Sequence, residues 1–297
     1  MGRSMIEPAV LRGRARYERT MEGWTDDADG DALAHTVRLA DPERQIEFRA
    51  VTTTSPTYEI RHAHCRVLGG DVAAVGEGIA SLTGARMVAG FTRRVAEAVG
   101  SGTGAAFVVD AAIEVARLAR QVTKLPRAQA ERAASGDALD CWQLDTTGWI
   151  DLPDSCFTYS AAGRSLFGTR PIATPMHPDL YSPRPGQQRV FARRKLARLA
   201  RLDGRLLLFH SMHDNAHGFE ITYELDAATG RVLRAEHVTP KLPYMGICSE
   251  PQRKIAALVG EIADDGLRKR LAPLIGGAAG CAQLYDLTAD VLKLLAP

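Results

Sequence analysis

An internal repeat is the feature that most constrains what this chain can fold into. Residues 70–120 align without gaps on residues 246–296, an offset of 176. Self-similarity at a fixed offset indicates that one structural unit occurs twice. We therefore expect two pseudo-repeated halves, of which the first is a degenerate copy. The identical pairs include Gly70/Gly246, Ile79/Ile255, Ala80/Ala256, Leu82/Leu258, Gly84/Gly260, Gly90/Gly266, Arg94/Arg270, Ala96/Ala272, Gly100/Gly276, Gly104/Gly280, Asp110/Asp286, Val115/Val291 and Leu118/Leu294.

Each copy of the repeat is predicted to contain three helices. We interpret the glycines between the helices as residues that end one helix and begin the next, rather than as a phosphate-binding loop. Such a loop requires a Lys-Ser/Thr pair after the glycines, and none follows here. In the last helix, apolar residues recur at the 3.6-residue spacing of a face that packs on a core. Those residues are Leu284, Leu287, Val291, Leu294 and Leu295. The predicted helices are 75–83, 91–99 and 105–121 in the first copy, and 252–259, 267–275 and 281–295 in the second.

Strands are predicted ahead of the helices in both halves. Residues 45–52 and 57–67 alternate in polarity, and 219–225 and 231–238 flank a turn that ends in Gly230, which indicates a hairpin. Residues 188–202 have the spacing of an amphipathic helix, yet the Asp-Gly pair that follows favours strands joined by a turn. The predicted fold class is α+β, with two pseudo-repeated halves that each contain antiparallel strands followed by about three helices.

The middle of the chain differs from both halves. It is predicted to hold a polar linker and then a loop over 161–186 with five prolines, too many for regular structure. Such a long loop is either a lid or an arm that clamps the halves or contacts a second copy. The predicted organisation is a degenerate repeat at 10–123, a linker and proline-rich loop at 124–187, and a repeat carrying the candidate site at 188–297.

Composition and charge exclude several classes of partner. A formal net charge of +2 and 6% aromatic residues argue against nucleic acid. The most apolar stretch, 105–119, is interrupted by three charged residues, so we expect no membrane span. The N-terminus lacks the pattern of a secretory signal. The five cysteines are scattered and form no Cys-x-x-Cys motif, which favours reduced thiols in the cytoplasm. A homodimer is the default expectation for such a chain.

Residues 209–220 hold the densest group of side chains that could carry chemistry. They include three histidines and two carboxylates. An imidazole can give and take a proton near neutral pH, and a neighbouring carboxylate fixes its tautomer. We therefore predict His213, Asp214 and His217 as catalytic residues. A metal site at the His-x-x-x-His spacing and a solvated polar turn are the alternatives.

Two further clusters are predicted to complete the site. In the first, two prolines and a glycine surround Tyr244, a candidate proton donor, and lead to Cys248, whose pKa a helix N-terminus would lower. In the second, Cys281 begins a helix that also carries Gln283 and Tyr285. Cys248, Cys281, Gln283 and Tyr285 are predicted to bind substrate. A buried small cysteine and a core tyrosine are the structural alternative.

The first copy of the repeat lacks these reactive groups. Val72 aligns with Cys248, and Ala105 aligns with Cys281. One active half and one structural half is the simplest interpretation. The first copy keeps His62 and His64 on one face of a predicted strand, where they are either functional or ordinary surface residues.

These motifs resemble a bacterial family of unknown function, here apparently duplicated. Its pattern is His-Asp-Met before a strand, a Pro-Tyr-Gly-Ile-Cys turn and a terminal Gly-Cys-Thr-His-Leu. The first histidine and the two cysteines of that pattern fall on His217, Cys248 and Cys281. The second histidine falls on Gln283, and this departure weakens a Cys/His metal site because an amide is a poor ligand for soft metals. We predict no metal site.

The resemblance implies a role in the catabolism of aromatic compounds, including removal of a hydroxymethyl carbon as formaldehyde without a cofactor. No dinucleotide-binding motif is present, so we expect no cofactor. The hypothesis is a lyase that cleaves a C–C bond of a small, lignin-derived phenolic compound by general acid/base chemistry. A metal-dependent hydrolase or lyase and a non-catalytic small-molecule-binding protein are the alternatives.

Overall fold

The computed structural model describes residues 6–73 and 76–296, which form two compact units. The N-terminal unit comprises Thr20–Asp151 and Met176–Arg194. The C-terminal unit comprises the chain up to Arg19, Leu152–Pro175 and the chain from Lys195 onward. Two ends of predicted segments, Val75 of the first predicted helix and Pro297 of the predicted C-terminal repeat, lie outside the described residues.

Antiparallel strands and helices both contribute, so the predicted α+β class is confirmed. The strands are β1 (Arg16–Asp27), β2 (Ala32–Ala40), β3 (Arg44–Thr53), β4 (Ile60–Gly70), β5 (Phe191–Leu202), β6 (Arg205–Asp214), β7 (Gly218–Asp226) and β8 (Val232–Lys241). The α-helices are α1 (Gly76–Ala80), α2 (Phe91–Val99), α3 (Ala105–Leu118), α4 (Arg127–Ser135), α5 (Ala138–Gly148), α6 (Ala161–Ser165), α7 (Pro178–Tyr181), α8 (Leu267–Ile275) and α9 (Ala282–Leu292). Among these described helices, none combines the length and the apolar character needed to cross a bilayer.

Strands β1 to β4 follow one another as an antiparallel meander, which belongs to the N-terminal unit from Thr20 onward. Helix α3 packs on β2 and β3. It buries Phe107, Val108, Ala111 and Val115 against them. Residues 32–37 of β2 are all buried, so side chains on both faces of this strand are shielded from solvent.

Strands β5 to β8 form a second meander, which belongs to the C-terminal unit from Lys195 onward. Helix α9 packs on β6 and β7, and α8 packs on α9. Leu284, Leu287 and Val291 are fully buried on the inner side of α9. The predicted apolar stripe therefore does face a core.

Several predicted helices are shorter or tighter than expected. Residues 252–259 form a 3-10 segment, Pro251–Leu258, which begins with proline and is followed two residues after its end by the left-handed Gly260 (φ 94°). The last helix turns into a 3-10 segment at Lys293–Leu295. The two middle helices, 91–99 and 267–275, have the predicted bounds.

Residues 191–202 form strand β5, as the turn pair indicated. Burial alternates along this strand, and the inward positions are Phe191, Arg193, Lys195, Ala197 and Leu199. Two of these five buried residues are basic. The basic residues therefore obscure the alternation of apolar and polar residues that identifies a strand. The helical spacing of the leucines and arginines is clear in the sequence, but no helix forms there.

The middle of the chain contains helices where a linker and an extended loop were expected. Helix α4 starts after Pro126, and α7 begins with Pro178. A proline in the first helical turn loses no hydrogen bond, so those prolines start helices rather than prevent them. Helix α5 starts at a capping box in which the Asp137 side chain accepts from the backbone N–H of Leu139 and Asp140. The expectation of an irregular 161–186 loop is wrong for the residues of α6 and α7.

A hydrogen-bonded histidine is buried among the strands of the N-terminal unit. His35 on β2 is fully buried, with Nδ1 2.9 Å from Thr25 Oγ1 and Nε2 3.1 Å from Thr52 Oγ1. Desolvation lowers the pKa of this imidazole to about 3. The ring is therefore neutral in the folded chain at all physiological pH values.

This neutral histidine makes folding stability sensitive to acid. Below about pH 6.5 the unfolded chain protonates His35 while the folded chain does not, so stability falls by up to about 1.4 kcal/mol per pH unit until the pH approaches 3. The His35→Gln variant has no titratable group at this position, so it does not lose stability in acid for this reason. We expect the difference in unfolding free energy between parent and variant to shrink from pH 6.5 to pH 4 in urea titrations followed by circular dichroism. A difference that stays constant over this range would contradict the assignment.

Candidate functional site

A tight turn joins β6 to β7, and the buried side chain of Asp214 organises it. Oδ1 of Asp214 accepts hydrogen bonds from the backbone N–H of Ala216 at 2.8 Å and of His217 at 2.6 Å. The backbone N–H of Asp214 donates to the His217 carbonyl at 2.9 Å. The carboxylate thus satisfies backbone groups that a four-residue turn leaves without strand partners.

The same carboxylate orients the imidazole of His217. Nδ1 lies 3.1 and 3.3 Å from the two Asp214 oxygens, and the ring stacks at a tilt on Phe219 with centroids 6.2 Å apart. Only 14% of the His217 side chain is exposed. With Nδ1–H donating to the carboxylate, Nε2 carries the lone pair and can act as a base. Lys241 Nζ donates to the Asp214 carbonyl at 3.1 Å, which places a cation beside the turn.

The other two histidines of this segment have different partners. His213 is half exposed, with Nε2 3.5 Å from Glu220 Oε1. His210 is buried, and its Nδ1 is 2.9 Å from the Leu287 carbonyl of α9. The predicted pairing of His217 with Asp214 is thus present, whereas His213 pairs with a different carboxylate. His210 and His213 lie three residues apart on β6 and therefore on opposite faces, and His217 lies in the turn that follows. Proximity in the sequence therefore does not bring the three rings to one point.

Tyr244 belongs to an aromatic cluster. It is buried, and its ring makes edge-to-face contacts with Tyr159 at 6.2 Å and Phe167 at 6.1 Å between centroids. Its carbonyl accepts from the backbone N–H of Ile247 and Cys248. These contacts favour the core-tyrosine alternative.

Three cysteines converge in the C-terminal unit, and together with Thr158 and Gln252 we call them the thiol cluster. Thr158 Oγ1 is 3.0 Å from Cys248 Sγ and also hydrogen-bonds the Cys156 thiol. Gln252 Nε2 donates to the Cys248 carbonyl at 3.2 Å, and the Gln252 side chain hydrogen-bonds the Cys281 thiol. Cys281 Sγ accepts from the backbone N–H of Leu284 at 3.4 Å.

Burial decides the ionisation of these thiols. Desolvation raises the pKa of Cys248 to about 12 and that of Cys281 to about 11, and it also raises the pKa of Cys156. The expectation that a helix N-terminus lowers the pKa of Cys248 is therefore wrong in sign, because desolvation outweighs the helix dipole. The thiols are neutral near pH 7.

The remaining predicted substrate-binding residues lie on the first turn of α9. Gln283 and Tyr285 are half-buried. The Tyr285 ring lies against Gly276, where an added Cβ would come within 3.3 Å of Tyr285 Cδ2. In the N-terminal unit, the exposed rings of His62 and His64 lie 5.6 Å apart on β4.

No group of three or more His, Cys, Asp and Glu side chains is arranged to hold a metal ion within residues 6–73 and 76–296. The alternative metal site at the His-x-x-x-His spacing of His213 and His217 is thus not assembled there.

Part of the C-terminal unit matches a known sequence family. Residues 205–296 match the family model described as "Protein of unknown function (DUF2889)". The predicted resemblance is confirmed. This DUF2889 segment contains β6 to β8, α8 and α9, and with them His213, Asp214, His217, Cys248 and Cys281. Cys156 and Tyr159, which contact its residues, lie outside the matched range.

Other comparisons add little. No curated protein matches the chain. A solved structure described as a "putative lipoprotein" from Clostridium difficile 630 is similar at 9% identity over 79% of this chain and 95% of that chain, with a TM-score of 0.12. A TM-score of this size carries no argument about fold or function.

Sequence reasoning missed Cys156 as a neighbour of the two cysteines in the DUF2889 segment. It lies in a stretch that was interpreted as irregular, 92 residues before Cys248 in the sequence. Its proximity depends on a backbone hydrogen bond from Phe157 to the Gly280 carbonyl at 2.8 Å. Neither a phenylalanine at 157 nor a glycine at 280 indicates such a long-range backbone contact in the sequence.

The turn before β7 has a counterpart in the N-terminal unit. Asp41 Oδ1 accepts from the backbone N–H of Glu43 at 2.9 Å and of Arg44 at 2.8 Å, and Asp41 N–H donates to the Arg44 carbonyl at 2.9 Å. The Arg44 guanidinium donates a hydrogen bond to Asp41 Oδ2 at 2.6 Å. The two turns therefore differ in their last side chain: one ends in an arginine that cannot deprotonate, the other in a histidine that can.

This pair of turns allows a matched stability test. Asp214→Ala leaves backbone donors of the turn without an acceptor, so we expect it to lower the unfolding free energy by about 1–3 kcal/mol. Asp41→Ala should cost a similar amount, because it removes the same kind of acceptor. Asp214→Asn and Asp41→Asn retain an Oδ1 acceptor and should cost less. Urea unfolding of all four variants checks this order, and equal losses for alanine and asparagine would contradict it.

Proposed function

We propose that this protein is a lyase that works without a cofactor, cleaves a C–C bond of a small phenolic compound and releases formaldehyde. The hydrogen-bonded pair of His217 and Asp214 carries this proposal. A buried carboxylate on Nδ1 fixes the orientation of the ring and the tautomer in which Nε2 is the proton acceptor. The phenolic substrate class comes from the family resemblance.

In the proposed reaction, His217 Nε2 takes the proton of a hydroxymethyl group on the substrate. The C–C bond to that carbon breaks and formaldehyde leaves. The electron pair of the broken bond forms a double bond to the benzylic carbon as an oxygen substituent departs from it. The imidazolium returns its proton to that departing oxygen, so one residue serves first as base and then as acid. Tyr244 has a packing role in this scheme.

The proposal includes a tandem duplication, in which the first copy has a structural role. Each unit has four meandering strands followed by helices. Helices α2 and α8 begin and end 176 residues apart. Aligned apolar residues are buried in both copies, and examples are Ile79/Ile255, Leu82/Leu258, Val95/Leu271 and Leu118/Leu294. The turns at Asp41 and Asp214 also correspond.

A cytoplasmic location and a homodimer are part of the same proposal. The five cysteines are widely spread and form no Cys-x-x-Cys motif, which supports a reducing compartment. The homodimer rests on the general prevalence of two-fold assemblies among soluble chains.

A non-catalytic small-molecule-binding protein is the second candidate. The observation that favours it is the Asp41–Arg44 turn, which has the same hydrogen bonds without a titratable base. A carboxylate in this position can thus serve the turn alone. The two candidates differ in whether the identity of residue 217 affects turnover.

His217→Arg separates these candidates, because it reproduces the pair found at Asp41 and Arg44. We expect the variant to fold with near-parental stability and to release formaldehyde 10²–10⁴-fold more slowly. The measurement is colorimetric detection of formaldehyde from phenolic compounds that carry a hydroxymethyl side chain. Arg44→Lys is the matched control and should retain parental turnover. Parental turnover by His217→Arg, or no formaldehyde from any such compound, would favour the binding protein.

A further inference from the structure

The thiol cluster is a second place in the C-terminal unit where reactive groups gather. It is independent of the His217–Asp214 pair, because its polar contacts are to Thr158, Gln252 and the backbone of α9. The backbone hydrogen bond from Phe157 to Gly280 sets the peptide group of residues 156–157 against that of residues 280–281. This contact places Cys156 and Cys281 side by side on opposing backbone segments.

From this juxtaposition we propose that Cys156 and Cys281 are a disulfide-forming pair, oxidised by low-molecular-weight disulfides. Both residues are half-buried, whereas Cys248 is buried. An oxidant therefore reaches the outer two thiols first. Cys281 also accepts a backbone N–H from Leu284, which stabilises its thiolate when the proton leaves.

The reaction balances as two exchange steps with glutathione disulfide as the oxidant. The Cys281 thiolate attacks one sulfur of glutathione disulfide and displaces one glutathione thiolate. The Cys156 thiolate then attacks the Cys281 sulfur of the mixed disulfide and displaces the second. The protein loses two protons and two electrons, and the oxidant becomes two thiols.

The surroundings favour a disulfide over a metal centre. Metal ligation requires thiolates, and burial disfavours the charged form of all three thiols. A disulfide is uncharged and tolerates the same burial. It would also close a loop of 125 residues between positions 156 and 281, and closing a long loop stabilises the oxidised folded chain. The same burial makes the exchange slow, with only about one thiol in a thousand ionised at pH 8.

The consequence is a covalent link between two parts of one unit. Segment Leu152–Pro175, with α6, would be tied to the start of α9. Oxidation would then protect this segment from local opening and proteolysis.

Peptide mapping of the full-length protein tests the proposal. The reduced protein is incubated for hours with glutathione disulfide, alkylated, and digested with trypsin without reductant. We expect the fragments 133–164 and 271–293 to be joined. Fragment 133–164 also contains Cys141, so Cys141→Ser is the control and should retain the link. Cys156→Ser and Cys281→Ser should each lose it.

Three results would overturn the proposal. The first is a link that disappears in Cys141→Ser, or one that joins fragment 242–253, which contains Cys248. The second is a disulfide between two chains, seen as a dimer on a non-reducing gel. The third is no link at all, including the case in which one thiophilic metal ion per chain blocks the thiols in the purified protein.

Discussion

Each four-stranded meander depends on a buried carboxylate at the start of a hairpin turn. Asp41 and Asp214 each accept two backbone N–H groups, and the side chains of both are fully shielded from solvent. The turn fixes which residues of the flanking strands face each other. A slip of one residue would exchange the two faces of a strand. The apolar face that receives α3 or α9 would then point away from it, so the core of each unit depends on its turn.

Much of this fold could be predicted because its helices carry a clear apolar period. The bounds of 91–99 and 267–275 follow from the repeat, and the buried leucines of α9 follow from their spacing. Strand β5 was harder, because buried Arg193 and Lys195 break the alternation that identifies a strand. Helices α4 and α5 were missed because their segments are polar or short, and their starts depend on local caps such as Asp137.

The candidate site shows a different limit of sequence reasoning. Asp214 and His217 are three residues apart, and a turn brings such neighbours together reliably. Cys156 meets Cys248 and Cys281 only through tertiary contacts, which no local pattern encodes. The ionisation of the cysteines was also mispredicted, since the cost of removing a thiolate from water depends on burial and cannot be taken from a nearby helix end.

Strand β4 is an edge strand. It pairs with β3 on one side, and most of its residues after Ile60 are exposed. Such an edge invites another strand to add to it. Arg61 and Arg66 lie on this strand, and they form ion pairs with Asp31 and Glu47, respectively. A strand added to this edge would have to displace or desolvate these ion pairs, which opposes edge-to-edge aggregation.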